Sequence, residues 1–108
     1  MPQGFFYQHK RVLSREGLAL MVKSSLLQVD RAKGQVESTR EALDAASENR
    51  ELNVRAYQNE LAETKEVIEA QLMESFIKGK HLKALYDHAT SQAKMNFLIG
   101  NQIQKAFN

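Results

Sequence analysis

Residues 22–46 read VKSSLLQVDRAKGQVESTREALDAA and place an apolar residue at every seventh position. The repeating residues are Val22, Val29, Val36 and Leu43. Three residues after each of them stands a small or medium one, in the order Ser25, Ala32, Thr39 and Ala46. A strict heptad repeat is typical of helices that wind left-handedly around a neighbour, and small residues at alternate positions let that neighbour approach closely. The pattern therefore predicts a helix-packing seam.

The helical pattern extends over most of the 108-residue chain. There is no proline after residue 2 and no glycine in residues 35–78, and the composition is rich in good helix formers. After Leu43 the apolar positions step to Val54, Tyr57 and Leu61. The long step predicts a four-residue stutter that locally relaxes the supercoil.

One unbroken helix of about 90 residues would be far longer than average helices. We therefore predict that the chain reverses direction near residues 59–64, where Asn59 and Thr64 are the only plausible cap residues. The predicted fold is all-α, a long coiled-coil-like antiparallel hairpin of two helices joined by a tight turn. Its parts are an irregular start at residues 1–13, helix A at about 14–58 and helix B at about 65–107.

The second half of the chain carries two apolar stripes at helical spacing. The stripe that we assign to the helix-packing seam includes Leu72, Tyr86, Ala89 and Ala93. The other includes Ala70, Ile77, Ala84, Met95 and Leu98. Two stripes indicate neighbours on both flanks, as in a wall of helices, and the alternative is the core of an ordinary four-helix assembly.

Charge is distributed unevenly along the chain. Residues 34–77 hold ten acids and four bases, a net charge of −6, whereas residues 1–33 and 78–108 each carry +4. A hairpin would thus be acidic at its turn and basic at its open end, with a solvated charged face as the ordinary explanation. The net charge of +2 is small and the basic ends lack interleaved aromatic residues, so we predict no nucleic-acid partner.

The sequence offers little that could carry chemistry. The absence of cysteine excludes disulfides and thiolate metal sites. His81 and His88 share a helical face near Asp87 and Glu74, but they lack the i,i+4 spacing of helical zinc ligands. No nucleophile elbow and no glycine-rich phosphate loop occurs. We predict no enzymatic activity, no metal and no cofactor.

Short motifs follow one another in a fixed order in the second half of the chain. Tyr57 precedes the turn, and the motifs EVIEAQ at 66–71, LYDH at 85–88 and LIG at 98–100 come after it. In this order they resemble the closing helical segment of the TolC-like outer-membrane efflux protein family. In that family a Tyr-x-x-Gly-x-x-Thr turn is followed by Asp-x-Leu-Asp-Ala-Gln, a Leu-Tyr-Asp-Tyr-like box and a terminal Leu-Gly or Ile-Gly.

The resemblance covers about residues 15–100, because residues 15–20 and 29–49 are similar to the preceding helix of the same repeat. The turn departs from the family pattern at two positions. Glu60 stands where the family has its turn glycine, and Glu63 stands where it has threonine.

The resemblance implies a homotrimeric export duct, an outer-membrane β-barrel continued into the periplasm by an α-helical barrel. This chain would be a partial efflux domain, the C-terminal segment that descends to the periplasmic mouth, turns and returns. The implied partners are the rest of the channel subunit, a periplasmic adaptor and an inner-membrane pump, and the implied location is the periplasmic face of the outer membrane. The N-terminus does not resemble a signal peptide, and membrane contact would come only through the missing β-strands. Since the first repeat is missing too, we expect a fragment, a truncated gene product or a degenerate descendant.

Acidic residues of this chain fall where family members carry acids near the constricted mouth. These gate candidates are Glu66 and Glu69, with Glu63 beside them. Rings of like charge can filter passing ions, so the resemblance implies a gate at this end. The alternative is that these are solvated first-turn acids favoured by the helix dipole.

A second interpretation of the chain is a free-standing soluble hairpin that self-associates or binds a partner helix. Two helices alone make a marginal core, so this interpretation requires oligomerisation. A discrete, stable oligomer of the chain would favour it over the channel segment.

Overall fold

The computed structural model describes residues 15–107, which form two helices of 44 residues each. Helix α1 is Arg15–Gln58 and helix α2 is Thr64–Phe107. The described residues contain no strand. The predicted all-α hairpin with a turn near residues 59–64 is confirmed. The expected irregular start at residues 1–13 lies outside the described part of the chain.

The chain divides into two compact units, which we name by their place in the hairpin. The turn unit is Ala32–Asp87, and the described part of the terminal unit is residues 15–31 with 88–107. In the turn unit, buried and half-buried residues recur alternately three and four positions apart on both helices, which defines the seam. On α1 these are Ala32, Val36, Thr39, Leu43, Ala46, Arg50 and Asn53. On α2 they are Val67, Ala70, Glu74, Ile77, His81 and Ala84.

Alanines bring the two helices of the turn unit together. Ala46, Ala70 and Ala84 are the buried residues among those described in this unit. Larger seam residues such as Val36 and Leu43 are half-buried beside them. A methyl group at the contact lets the helix backbones approach closely, which is what the small heptad residues predict.

The terminal unit continues the same spacing on its own residues. Leu18, Ser25 and Leu98 are buried, and Val22 and Val29 are half-buried on α1. No buried side-chain nitrogen or oxygen among the described residues lacks a hydrogen-bond partner. Ser25 is therefore accommodated in this seam as a small residue that leaves no fully buried polar atom without a partner.

The expected stutter after Leu43 is wrong. The heptad runs on through Arg50 and Asn53, and although Val54 is half-buried as well, Tyr57 is exposed and Leu61 is 82% exposed. Positions 50 and 53 hold polar residues, so a search for apolar heptad positions passes over them. It assigns the next apolar side chains to the seam instead. Arg50 can occupy such a position because it meets a carboxylate there, as described below.

Four residues assigned to the seam of helix B lie elsewhere. Leu72 and Tyr86 are 64% and 72% exposed, and Ala89 and Ala93 are exposed as well. In the turn unit, Leu72 stands midway between the seam residues Ala70 and Glu74, so at 3.6 residues per turn it points away from α1. Helix α2 has two apolar faces, and the one with small residues packs on α1.

The end of α1 is a Schellman motif built on a non-glycine residue. The Leu61 amide donates to the Ala56 carbonyl at 2.7 Å, and the Glu60 amide donates to the Tyr57 carbonyl at 3.0 Å. Glu60 has a φ of 62°, the left-handed conformation that this motif requires at its C′ position. Asn59 is the residue before it, with its amide 3.1 Å from the Arg55 carbonyl.

Helix α2 begins one residue earlier than predicted. The Glu63 carbonyl accepts from the amides of Glu66 and Val67, at 3.0 and 3.4 Å. Glu63 therefore holds the N-cap position, and Thr64 is the first helical residue rather than the cap. The carboxylate of Glu66 in the first turn is favourably placed for the helix dipole.

Replacing Glu60 by glycine should stabilise the hairpin. A left-handed non-glycine residue costs about 1–2 kcal/mol, and the greater freedom of glycine in the unfolded chain offsets about 0.5–1 kcal/mol of that gain. We expect Glu60→Gly to raise the free energy of unfolding by about 1 kcal/mol, or Tm by about 4–8 °C, in thermal melts followed by circular dichroism. Glu60→Ala keeps a Cβ and is the control. An equal gain from both variants would contradict a backbone origin.

Enlarging a seam alanine should have the opposite effect. Ala84→Leu forces the closely packed helices apart, and we expect a loss of about 1–3 kcal/mol in the free energy of unfolding measured by denaturant titration. The control is Ala42→Leu, the same change at an exposed position, which should stay within about 0.5 kcal/mol of wild type. Equal effects of the two substitutions would show that the alanine contact does not limit the helix spacing.

Candidate functional site

The outer face of α2 carries several exposed large apolar side chains of the turn unit. We define it by Ile68, Leu72, Phe76, Leu82 and Tyr86, all of which are at least half exposed. Each lies on the side of α2 away from its seam residues. A row of large apolar side chains on one helix face is a typical surface for packing another helix.

The part of the outer face nearest the turn forms a shallow hollow. It is lined by Glu69, Leu72, Met73 and Phe76. The ammonium nitrogen of Lys80 lies 4.9 Å from the centre of the Phe76 ring, within the range of a cation–π contact. Lys80 therefore brings positive charge to a mainly apolar surface that has the carboxylate of Glu69 at its edge.

The predicted gate residues form an acidic row at the start of α2. Glu63, Glu66 and Glu69 are all exposed and follow one another at intervals of three residues. The carboxylate of Glu69 is 3.9 Å from the ammonium of Lys65, and both side chains are mostly exposed. An ion pair of this kind contributes little to stability. Within one chain the carboxylates form a row, and a ring requires further copies.

A charged pair crosses the seam of the turn unit. The Nε of Arg50 donates to Oε2 of Glu74 at 2.8 Å, and another guanidinium nitrogen lies 3.8 Å from Glu51. The hydrogen bond from Arg50, followed by one from the Ser47 hydroxyl, holds the pKa of Glu74 below its ordinary value. The same bond to Glu74 raises the pKa of Arg50.

A second polar contact lies further along the same seam. The Thr39 hydroxyl is 2.9 Å from Nδ1 of His81 and 2.7 Å from the Gln35 carbonyl. A hydroxyl has one hydrogen, so donation to Gln35 leaves its oxygen to accept from a protonated Nδ1 of His81. Nδ1 of His81, one of the two histidines considered above as metal ligands, faces the Thr39 hydroxyl in the structure. Within residues 15–107 no group of three or more potential ligands could hold a metal ion.

Sequence reasoning missed both polar contacts although the signal was available. Arg50 and Glu74 occupy heptad positions of their helices, and so do Thr39 and His81. Polar residues that continue a heptad predict pairing partners on the opposite helix. The apolar pattern alone does not reveal them, because all four residues are polar.

Comparison with known proteins gives no match, whether with family models, with curated proteins or with solved structures. Neither described helix has a stretch long and apolar enough to cross a membrane.

Acid should weaken the pair of Arg50 and Glu74. Because the pKa of Glu74 is lower in the folded chain than the ordinary value of about 4.3, its contribution is present above that value and is lost as the pH falls through the folded pKa. We expect Glu74→Gln to lower Tm at pH 7 and the difference from wild type to shrink toward zero as the pH falls through the lowered pKa of Glu74. The control, Glu48→Gln, removes an exposed carboxylate. A Glu74→Gln difference that is constant with pH would contradict the linkage.

Proposed function

We propose that this chain is the closing helical hairpin of a TolC-like outer-membrane efflux channel subunit. The observation that carries the proposal is the conformation of the turn. The left-handed residue, Glu60, stands where the family pattern has glycine, and the N-cap, Glu63, stands where it has threonine. Glycine and threonine are the residues that these two backbone positions favour, so the family motif and this turn agree in register.

The two faces of α2 also support the proposal. One face packs on α1 through alanines, and the outer face presents large apolar side chains. A helix in the wall of a barrel needs contact surfaces for neighbours on both flanks. In this role α1 descends to the periplasmic mouth, the turn forms the tip, and α2 returns toward the membrane.

The acidic row would gain its function from trimer assembly. Three copies of Glu66 and Glu69, with Glu63 beside them, would form rings of like charge at the mouth of the duct. Such rings attract cations, repel anions and resist being brought together, so they act on both selectivity and closure. The adaptor and the inner-membrane pump would meet the assembly at this end.

A second candidate function is a free-standing hairpin that self-associates. The exposed outer face of α2 is the observation behind it, because a second hairpin could cover these apolar side chains without a channel. This candidate predicts a discrete oligomer of the isolated chain. Light scattering at several concentrations measures that directly.

A chimeric channel tests the proposed function. Residues 15–100 would replace the last helix pair of a TolC-like subunit, and the product would be assayed for trimers in the outer membrane and for export. We expect trimers and at least partial export, since the turn register and both contact faces are retained. The control chimera carries Leu72→Asp and Phe76→Asp on the outer face and should fail to form trimers. A parent chimera that reaches the membrane without forming trimers would overturn the channel assignment.

A further inference from the structure

The outer face of α2 is bordered by positive charge. Lys78, Lys80 and Lys83 are exposed, and no acidic residue lies between Glu74 and Asp87. Lys80 reaches over the Phe76 ring within this face. The middle of α2 in the turn unit is therefore an apolar strip with a basic border, and a complementary surface would be acidic with apolar positions.

The outer face of α1 in the turn unit has that complementary character. Its carboxylates are Glu37, Glu41, Asp44, Glu48 and Glu51, all exposed and outside the seam. Exposed apolar side chains share this side of the helix at Ala45 and Leu52, the latter 56% exposed. A single hairpin thus has one basic-apolar side and one acidic side.

The outer faces of α1 and α2 occupy the same levels along the helix axes of the turn unit. The contacts of Thr39 with His81 and of Arg50 with Glu74 fix which residues of the antiparallel helices lie level with each other. By that register Lys83 is level with the stretch from Glu37 to Glu41. Leu52 is level with the beginning of the outer face of α2, at Ile68 to Leu72.

We infer that the outer face of α2 binds α1 of a second copy of this chain, with both hairpins in the same orientation and at the same height. The lysine border of one copy then meets the carboxylates of the next, and Leu52 covers the apolar residues near the turn. A two-fold contact of α2 with α2 would instead bring lysines together, and one of α1 with α1 would bring carboxylates together, both unfavourable. The contact is therefore heterologous and can be repeated from copy to copy.

This inference deepens the packing role proposed above by naming the partner of the outer face. It rests on the proposal that this face packs helices, and it holds for a free-standing hairpin as well as for a channel segment. If the chimera fails to form trimers, the proposed channel function is contradicted, but the proposed contact between two copies of the chain is not. Failure of the self-contact would leave the chimera result standing.

Single cysteines test the contact, because the chain contains none of its own. Ser75→Cys and Ala45→Cys place thiols on the outer sides of α2 and α1 at the same height, both at exposed positions. After mild oxidation, an equimolar mixture of the two variants should give a disulfide-linked dimer several times more abundant than either variant alone. Circular dichroism of each variant checks that the helices are retained.

Charge reversal provides an independent measurement. Lys83→Glu and Glu41→Lys should each raise the dissociation constant, measured by sedimentation, by a few-fold, and the two changes combined in one chain should restore it. Lys33→Glu alters the net charge equally at an exposed position outside both outer faces and is the control. Added salt should weaken the wild-type association.

Two results would overturn the inference. Efficient cross-linking of Ser75→Cys with itself would show a two-fold contact of α2 with α2. A wild-type chain that stays monomeric at all concentrations would show that the outer face does not bind a second copy. Selective cross-linking in the mixture together with the charge rescue supports it.

Discussion

A pair of helices can bury only one side of each helix in their shared contact, and this constraint governs the whole hairpin. Helix α2 has apolar residues on two sides, so one of them must stay outside. The side that packs on α1 is the one with alanines, since a close contact between backbones needs small side chains. The larger residues, such as Leu72 and Phe76, are left on the outer face. The shape of the contact rather than the greatest hydrophobicity decided which side became the core.

Polar residues in the seam give the hairpin its register. A seam of small and aliphatic residues alone would distinguish less sharply between the register that the short turn sets and registers shifted by a heptad. The hydrogen bonds of Arg50 with Glu74 and of Thr39 with His81 are lost in every shifted register. A polar heptad position commonly serves this purpose in coiled coils, at some cost in stability. We regard the specification of register as the main effect of these pairs, because all four residues are only partly buried.

The predictable and unpredictable parts of the fold differ in their physical origin. The helices and the reversal follow from composition, length and heptad spacing, and the turn falls where expected although it lacks glycine and proline. The seam of α2 was assigned to the wrong stripe, because hydropathy favours Leu72 and Tyr86 over Ala70 and Ala84 while the contact distance favours the reverse. The predicted stutter is wrong because Arg50 interrupts the apolar heptad pattern in the sequence. Its pairing with Glu74 can be recognised only when the two helices are aligned.

The turn shows a conflict between backbone preference and charge. Glu60 occupies a position that favours glycine, and Glu63 occupies an N-cap that favours serine, threonine or aspartate. Each choice costs about 1 kcal/mol of local stability, and each adds an exposed carboxylate to the turn that precedes Glu66 and Glu69. Because the core of the hairpin is small, this loss of stability weakens the folding of the single chain. Contacts with neighbouring helices would compensate for it. In the proposed assembly, the charged tip and the exposed outer face of α2 would belong to one arrangement, because contacts with neighbouring helices would offset the weak turn of the single chain.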